Sequence, residues 1–169
     1  HEHEANGLGL QRMTCCVGEI HIPKNSYTAL VVRTLIDRIG KHPSDVLVYG
    51  DPSGGARHTS QSEGSDWEVI RKMLHPVFGD RLRWRVARSA PYIRDRVIAV
   101  NSRMLSTTGE VHFLVDPKKC PHIVKDFVGV ELLKGGSGDI DKKGAEAKGL
   151  SHLSEAIGYY IYAAHPVTG

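Results

Sequence analysis

The feature that most constrains the fold is the alternation of short apolar runs with stretches of helical spacing. Residues 45–50 contain a short apolar run without alternation, which is typical of a strand buried on both faces. Residues 82–86 alternate between apolar and charged side chains, which predicts a strand with one polar face. Because apolar residues at helical spacing separate these strands, the sequence predicts an α/β fold.

The same patterns predict the order of the remaining elements. Strands are expected at 13–22, 45–50, 82–86 and 111–115, and helices from Asn25 or Ser26 to Gly40, from Ser65 or Asp66 through Leu74, from Pro91 through Leu105, and at 121–127 and 150–163. Residues 51–64 are expected to form a glycine- and serine-rich loop, and 133–149 a mobile loop or hairpin. Since no repeat or linker divides the chain, we expect one domain over residues 1–169.

Composition excludes several classes of protein. No stretch approaches the roughly 18 apolar residues of a membrane span, so no membrane partner is expected. The cysteines are Cys15, Cys16 and Cys120, an odd number that indicates reduced thiols in a cytosolic protein. No CxxC spacing is present, so a structural zinc site is not expected. The chain starts without Met or a signal-peptide pattern, and it reads as if it begins inside a domain.

Arginine is concentrated in one part of the chain. Net charge is only +3, yet seven arginines and a single acid, Asp95, lie between Arg81 and Arg103. One interpretation is a solvated surface with ion pairs, and the other is a surface that binds phosphate. The candidate DNA-binding residues in this region are Arg83, Arg85, Arg88, Arg94 and Arg96.

Two positions are candidates for carboxylate chemistry. Asp51 follows the apolar run and opens the glycine-rich loop, the end of a strand at which α/β proteins place ligands; a turn residue is the alternative. Glu155 and His152 are three residues apart, so they share one face of the last helix. An inward Glu155 needs a partner or a metal ion, whereas an outward one is stabilised by the helix dipole.

Six segments in series resemble the nuclease domain of the terminase large subunit of tailed phages and prophages. They are GEIHIPKNSYT (18–28), VYGDPSGGARHTSQSEGSDWEVI (48–70), DRVIAVNSRML (95–105), FLVDPKKCPHIVKDF (113–127), GDIDK (138–142) and HLSEAIGYYI (152–161). The resemblance implies an RNase H-like fold, with a central mixed sheet flanked by helices. It also implies an acidic site for Mg²⁺ or Mn²⁺, with two ions expected.

Carried over by motif, Asp51, Glu155 and His152 are the candidate catalytic residues, and Asp51 and Glu155 are metal ligands. The family usually has Asp where Glu155 stands, and its first catalytic Asp precedes the segment that reads Gly18-Glu19-Ile20 here. We therefore expect the family's first catalytic Asp to lie upstream of His1, and we take Glu19 as a candidate substitute ligand. We also expect this chain to bind metal weakly. The alternative is that Glu19 supports a metal ligand without touching the ion, or faces solvent.

Other residues are weaker candidates. Arg57 is a candidate DNA contact, and Ser53, Gly54, Gly55 and His58 could approach phosphate through the same loop, for which a flexible turn is the alternative. Asp139 and Asp141 are auxiliary ligands or exposed loop residues. Asp126 is expected to be structural.

The expected function is metal-dependent cleavage of double-stranded viral DNA during genome packaging in the host cytoplasm. No Walker A sequence is present, so the ATPase domain of such a protein would lie outside this chain. The expected partners are DNA and, in the full-length protein, an ATPase motor domain, a portal and a small terminase subunit. The alternatives are a catalytically weak or inactive module that clamps DNA or docks in the motor, and another RNase H-like nuclease such as a junction resolvase.

Overall fold

The structure is a computed structural model that describes residues 2–3, 13–55, 64–135 and 138–166. Within these ranges the elements, in chain order, are β1 (Glu2–His3), β2 (Met13–Cys16), α1 (Thr28–Ile39), β3 (Val46–Val48), a 3-10 turn (Pro52–Gly55), α2 (Asp66–Phe78), a second 3-10 turn (Gly79–Arg81), β4 (Leu82–Trp84), α3 (Ile93–Met104), β5 (Phe113–Val115), α4 (Pro121–Gly129), α5 (Lys142–Ala147) and α6 (His152–Ala164). Helices alternate with short strands, so the predicted α/β class is confirmed. The finer RNase H-like arrangement stays a prediction.

The chain divides into two compact units, one formed by the described parts of His1–Glu19 and Pro91–Gly169, and the other by those of Ile20–Ala90. In the first unit, β2 pairs antiparallel with β1 and parallel with β5, with Cys16 opposite Val115. Helix α6 packs against α3 and α4. The buried residues at the centre of this unit are Ala99, Val100, Phe113 and Ile161.

The second unit is built on a parallel pair of strands, β3 and β4, in which Val48 lies opposite Trp84. Helices α1 and α2 pack on each other and bury Val32, Leu74 and Phe78. Helix α2 begins at a capping box: the Ser65 hydroxyl accepts from the Glu68 backbone N–H, and the Glu68 carboxylate accepts from the Ser65 N–H. Of the two predicted caps, Ser65 and Asp66, the structure has Ser65.

The structure corrects several predicted details. Strand β3 is not buried on both faces, because Val46 and Val48 pack against the core while Leu47 points the other way and is 47% exposed. The first helix has Tyr27 as its N-cap, and the third has Tyr92, so the predicted starts were two residues or less too early. The predicted C-cap at Gly40 is confirmed.

The segment predicted as a loop or hairpin contains both a bridge and a helix. Leu132 and Ile140 form an isolated antiparallel bridge, which fits the hairpin alternative. Helix α5 was missed. It begins because the Asp141 carboxylate accepts a hydrogen bond from the Gly144 N–H, and the glycine- and lysine-rich composition gave no helical periodicity to detect.

Candidate functional site

Asp51 lies just beyond the carboxyl end of β3, as predicted. Since β3 and β4 are parallel, their carboxyl ends share one edge of this small sheet. The Asp51 Oδ1 accepts a hydrogen bond from the Ser53 N–H at 2.8 Å, and the Asp51 carbonyl oxygen accepts one from the Gly54 N–H at 3.2 Å. Asp51 therefore stabilises the turn, as the alternative interpretation of this residue expected. Its role as a metal ligand stays a prediction.

The loop around Asp51 is fixed by Trp67, which the sequence reasoning did not assign to the site. The indole Nε1–H of Trp67 donates to the Asp51 carbonyl oxygen at 2.8 Å. A Cβ added at Gly50 would lie 2.6 Å from the ring, and one at Gly54 would lie 2.9 Å from Nε1. Both glycines therefore let the indole lie against the main chain on either side of Asp51.

Glu155 faces inward from the first turn of α6, and its side chain is only 17% exposed. Its Oε1 is buried and has no hydrogen-bond partner. The Lys142 Nζ lies 3.5 Å from that oxygen, beyond good hydrogen-bond geometry. A buried carboxylate oxygen without a hydrogen bond is costly, so the site favours a cation at this position. In the structure, the Lys142 ammonium provides the positive charge beside this oxygen.

The start of α6, where Glu155 lies, is held by a carboxylate on α4. Asp126 is buried, and its Oδ2 accepts from the backbone N–H groups of Leu153 and Ser154, both at 3.0 Å. The structural role predicted for Asp126 is confirmed, since it caps α6 from a neighbouring helix. Ser151, the residue directly before α6, is fully buried and has φ at 85°. This backbone conformation is strained for a residue other than glycine.

A half-open cavity of about 170 Å³ lies beside Glu155. Its lining includes Arg96, Asn101, Phe127, Leu132, Ser154 and Glu155. Arg96 is only 5% exposed, and its guanidinium carbon stacks 4.2 Å from the centre of the Tyr159 ring. Arg96 therefore packs α3 against α6, and its burial argues against the phosphate contact predicted for it.

Glu19 and His152 are placed differently from Glu155. The Glu19 side chain is 5% exposed and accepts from the backbone N–H groups of His122 and Ile123 and from the His122 ring, whose Nδ1 lies 2.6 Å away. Burial raises the pKa of Glu19, but these hydrogen bonds outweigh it and hold the pKa below its ordinary value. Glu19 thus caps α4, and these bonds compete with metal binding. His152 is exposed at the start of α6.

The other predicted arginines are exposed where the structure describes them. Arg83 and Arg85 lie on the polar face of the β4 segment, and Arg83 pairs with Asp45 at 3.1 Å. Arg88 is exposed, and Arg94 lies 3.7 Å from Asp95. Arg57 and His58 lie outside the described residues. Because exposed ion pairs are weak, Arg83 and Arg94 can exchange these partners for phosphate.

The auxiliary acids have local structural roles. Asp141 caps α5, and the carbonyl oxygen of Asp139 accepts from the Leu133 N–H. Ser53, Gly54 and Gly55 lie in the 3-10 turn after Asp51, where the Ser53 N–H is already bonded to Asp51.

The structure gathers Glu155, Asp126, Arg96 and His152 in one unit, and Asp51 in the other. Among the residues that it describes, no three His, Cys, Asp or Glu side chains are grouped closely enough to hold a metal ion. Across the same ranges, no helix combines the length and apolarity needed to cross a membrane.

Comparisons with known proteins add no constraint on these residues. The terminase resemblance rests on the six sequence segments, and the residue roles carried over from it stay predictions. The geometry of Glu155 and Asp51 is independent of that resemblance. Searches against protein-family models, curated proteins and solved structures found no match to this chain.

Proposed function

We propose that the chain is a metal-dependent endonuclease that cleaves double-stranded DNA, acting as the nuclease domain of a terminase large subunit. The proposal includes an RNase H-like fold with a central mixed sheet, and work in the host cytoplasm beside an ATPase motor domain, a portal and a small terminase subunit. The observation that carries it is the buried Oε1 of Glu155, which has no hydrogen-bond partner on the inward side of α6.

This oxygen fits a hard divalent cation. Mg²⁺ and Mn²⁺ prefer oxygen ligands, and a bound cation satisfies a buried carboxylate oxygen that a hydrogen bond does not reach. In the proposal, Glu155 is a metal ligand in the unit that contains α6 and Asp51 is a metal ligand in the other unit. Asp126 orients Glu155 by fixing the first turn of α6. Bound Mg²⁺ or Mn²⁺, with two ions expected, would stabilise the charge that develops on the phosphate and leaving oxygens during hydrolysis.

DNA binding is assigned to arginines that reach solvent. Arg83, Arg85, Arg88 and Arg94 are exposed, and Arg57 completes the candidate set. Guanidinium groups bind phosphate oxygens in a bidentate fashion, and contacts to the backbone position DNA without reading its sequence. The expected substrate is therefore duplex DNA with little sequence preference.

Plasmid cleavage tests the proposal. Supercoiled plasmid with Mn²⁺ or Mg²⁺ should be nicked and linearised by the wild type, and a chelator should stop the reaction. Asp51→Asn and Glu155→Gln keep the shape of each side chain and remove its charge, so activity should fall by orders of magnitude. The controls Asp37→Asn and Glu146→Gln change exposed acids in the same units. Equal cleavage by all five proteins would refute the assignment.

A second candidate is a DNA-clamping or docking module without cleavage. It is favoured by the Lys142 ammonium, which already lies 3.5 Å from Glu155, where a metal ion is proposed. Such a module would retard DNA in a gel and leave it uncut at every metal concentration. Binding together with metal-dependent cleavage would exclude it.

A further inference from the structure

Two of the three cysteines meet in the unit that contains α6. The Sγ atoms of Cys16 and Cys120 lie 3.7 Å apart, although the residues are separated by 104 positions. Both are free thiols, with Cys16 partly exposed and Cys120 fully buried. Cys15, the neighbour of Cys16 on β2, is also partly exposed, and successive side chains on a strand point to opposite faces.

Backbone hydrogen bonds hold the two cysteines in this position. The Cys16 carbonyl oxygen accepts from the Asp116 N–H at 2.9 Å, which continues the parallel pairing of β2 with β5. The Cys120 N–H in turn donates to the Asp116 carbonyl oxygen at 2.9 Å. Asp116 therefore links the backbones of both cysteines and holds them near each other.

We propose that Cys16 and Cys120 form an intramolecular disulfide when the chain meets a small disulfide oxidant such as oxidised glutathione. The bond would join the end of β2 to the start of α4. It is independent of the proposed nuclease activity, because it uses neither Asp51 nor Glu155.

The step consists of two thiol–disulfide exchanges. The Cys16 thiolate attacks one sulfur of oxidised glutathione, which forms a mixed disulfide and releases one glutathione thiolate. The Cys120 thiolate then attacks the Cys16 sulfur and displaces the second glutathione. The cysteines lose two electrons, which reduce one oxidised glutathione to two thiols, and these take up the two cysteine protons.

Exposure sets the order of these exchanges. Cys16 is the cysteine that an oxidant can reach, and Cys120 is 0% exposed. Burial, together with the neighbouring Cys16, raises the pKa of Cys120 to about 12. Since the thiolate is the nucleophile, the second exchange should be the slower one and should accelerate as the pH rises.

The test treats the native chain with oxidised glutathione, blocks remaining thiols, and analyses tryptic peptides by mass spectrometry. Trypsin places Cys15 and Cys16 in peptide 13–24 and Cys120 in peptide 120–125. The expected product is one species in which these two peptides are joined and no glutathione remains. Cys15→Ser, the matched control, should give the same joined product.

Cys16→Ser should abolish the joined product, and because Cys16 is partly exposed, this variant should fold even if Cys120→Ser does not. A lasting glutathione adduct, a cross-link through Cys15, or unmodified Cys16 and Cys120 in the wild type would each overturn the proposal.

Discussion

The carboxylate of Asp126 provides a quantitative test of how the candidate site is built. Replacing it with Ala leaves the Leu153 and Ser154 N–H groups without their acceptor at the start of α6. An unsatisfied buried donor costs about 1–3 kcal/mol, and loss of an N-cap costs about 0.5–2 kcal/mol. Because the two effects overlap and water can enter the space, we expect Asp126→Ala to lower the free energy of unfolding by about 2–4 kcal/mol.

Asp116 is a matched control for this substitution. It also accepts two backbone hydrogen bonds through one oxygen, from the N–H groups of Lys118 at 3.0 Å and Lys119 at 3.2 Å. Its side chain is 34% exposed, whereas the whole Asp126 residue is only 3% exposed. Water can replace the Asp116 carboxylate, so Asp116→Ala should cost less than about 1 kcal/mol.

Urea denaturation followed by circular dichroism measures both losses. Asp126→Asn retains an acceptor of similar shape and should fall between the wild type and Asp126→Ala. If Asp126→Ala and Asp116→Ala lost equal stability, burial would not decide the strength of these hydrogen bonds. The inference that Asp126 holds the first turn of α6 would then be wrong.

Two further predictions concern Glu19 and the exposed arginines. The pKa of Glu19 is lowered in the folded chain, so its stabilisation is present above the ordinary glutamate pKa and is lost as the pH falls through the lowered value. Urea melts at several pH values should therefore show wild type and Glu19→Gln converging in acid, and a gap independent of pH would contradict this. The double change of Arg83 and Arg85 to Ala should flatten the log–log salt dependence of DNA affinity by about 1.8, at about 0.9 for each lost phosphate contact. A slope equal to that of the control pair Arg33→Ala and Lys41→Ala would place the DNA surface elsewhere.

Local sequence signals predicted the helices and strands well where side chains close in sequence determine the backbone conformation. Ser65, one of the two expected caps, begins α2, and the alternation from Leu82 to Arg85 follows the observed burial. These features depend on residues that are close in sequence. Helix α5 depends on a single cap at Asp141, and nothing in its composition distinguished it from a loop.

The candidate site was harder to predict because its contacts join distant parts of the chain. Arg96 was grouped with the other arginines by charge, yet it shares a helix face with Ala99 and Val100, and all three are buried. The spacing of three and four residues that places Arg96 on this buried face can be read directly from the sequence. The contact between Lys142 and Glu155, and the capping of α4 by Glu19, depend on packing that no local pattern encodes.

The most direct test of the central claim is whether Glu155 binds a divalent cation in competition with Lys142. Mn²⁺ should be titrated calorimetrically into the wild type, Glu155→Gln, Lys142→Met and the control Lys143→Met, which changes an exposed neighbour. We predict that Glu155→Gln weakens Mn²⁺ binding and that Lys142→Met strengthens it, because the ammonium 3.5 Å from Oε1 repels the ion. Affinities unchanged by either substitution, or weakened by Lys142→Met, would contradict the claim.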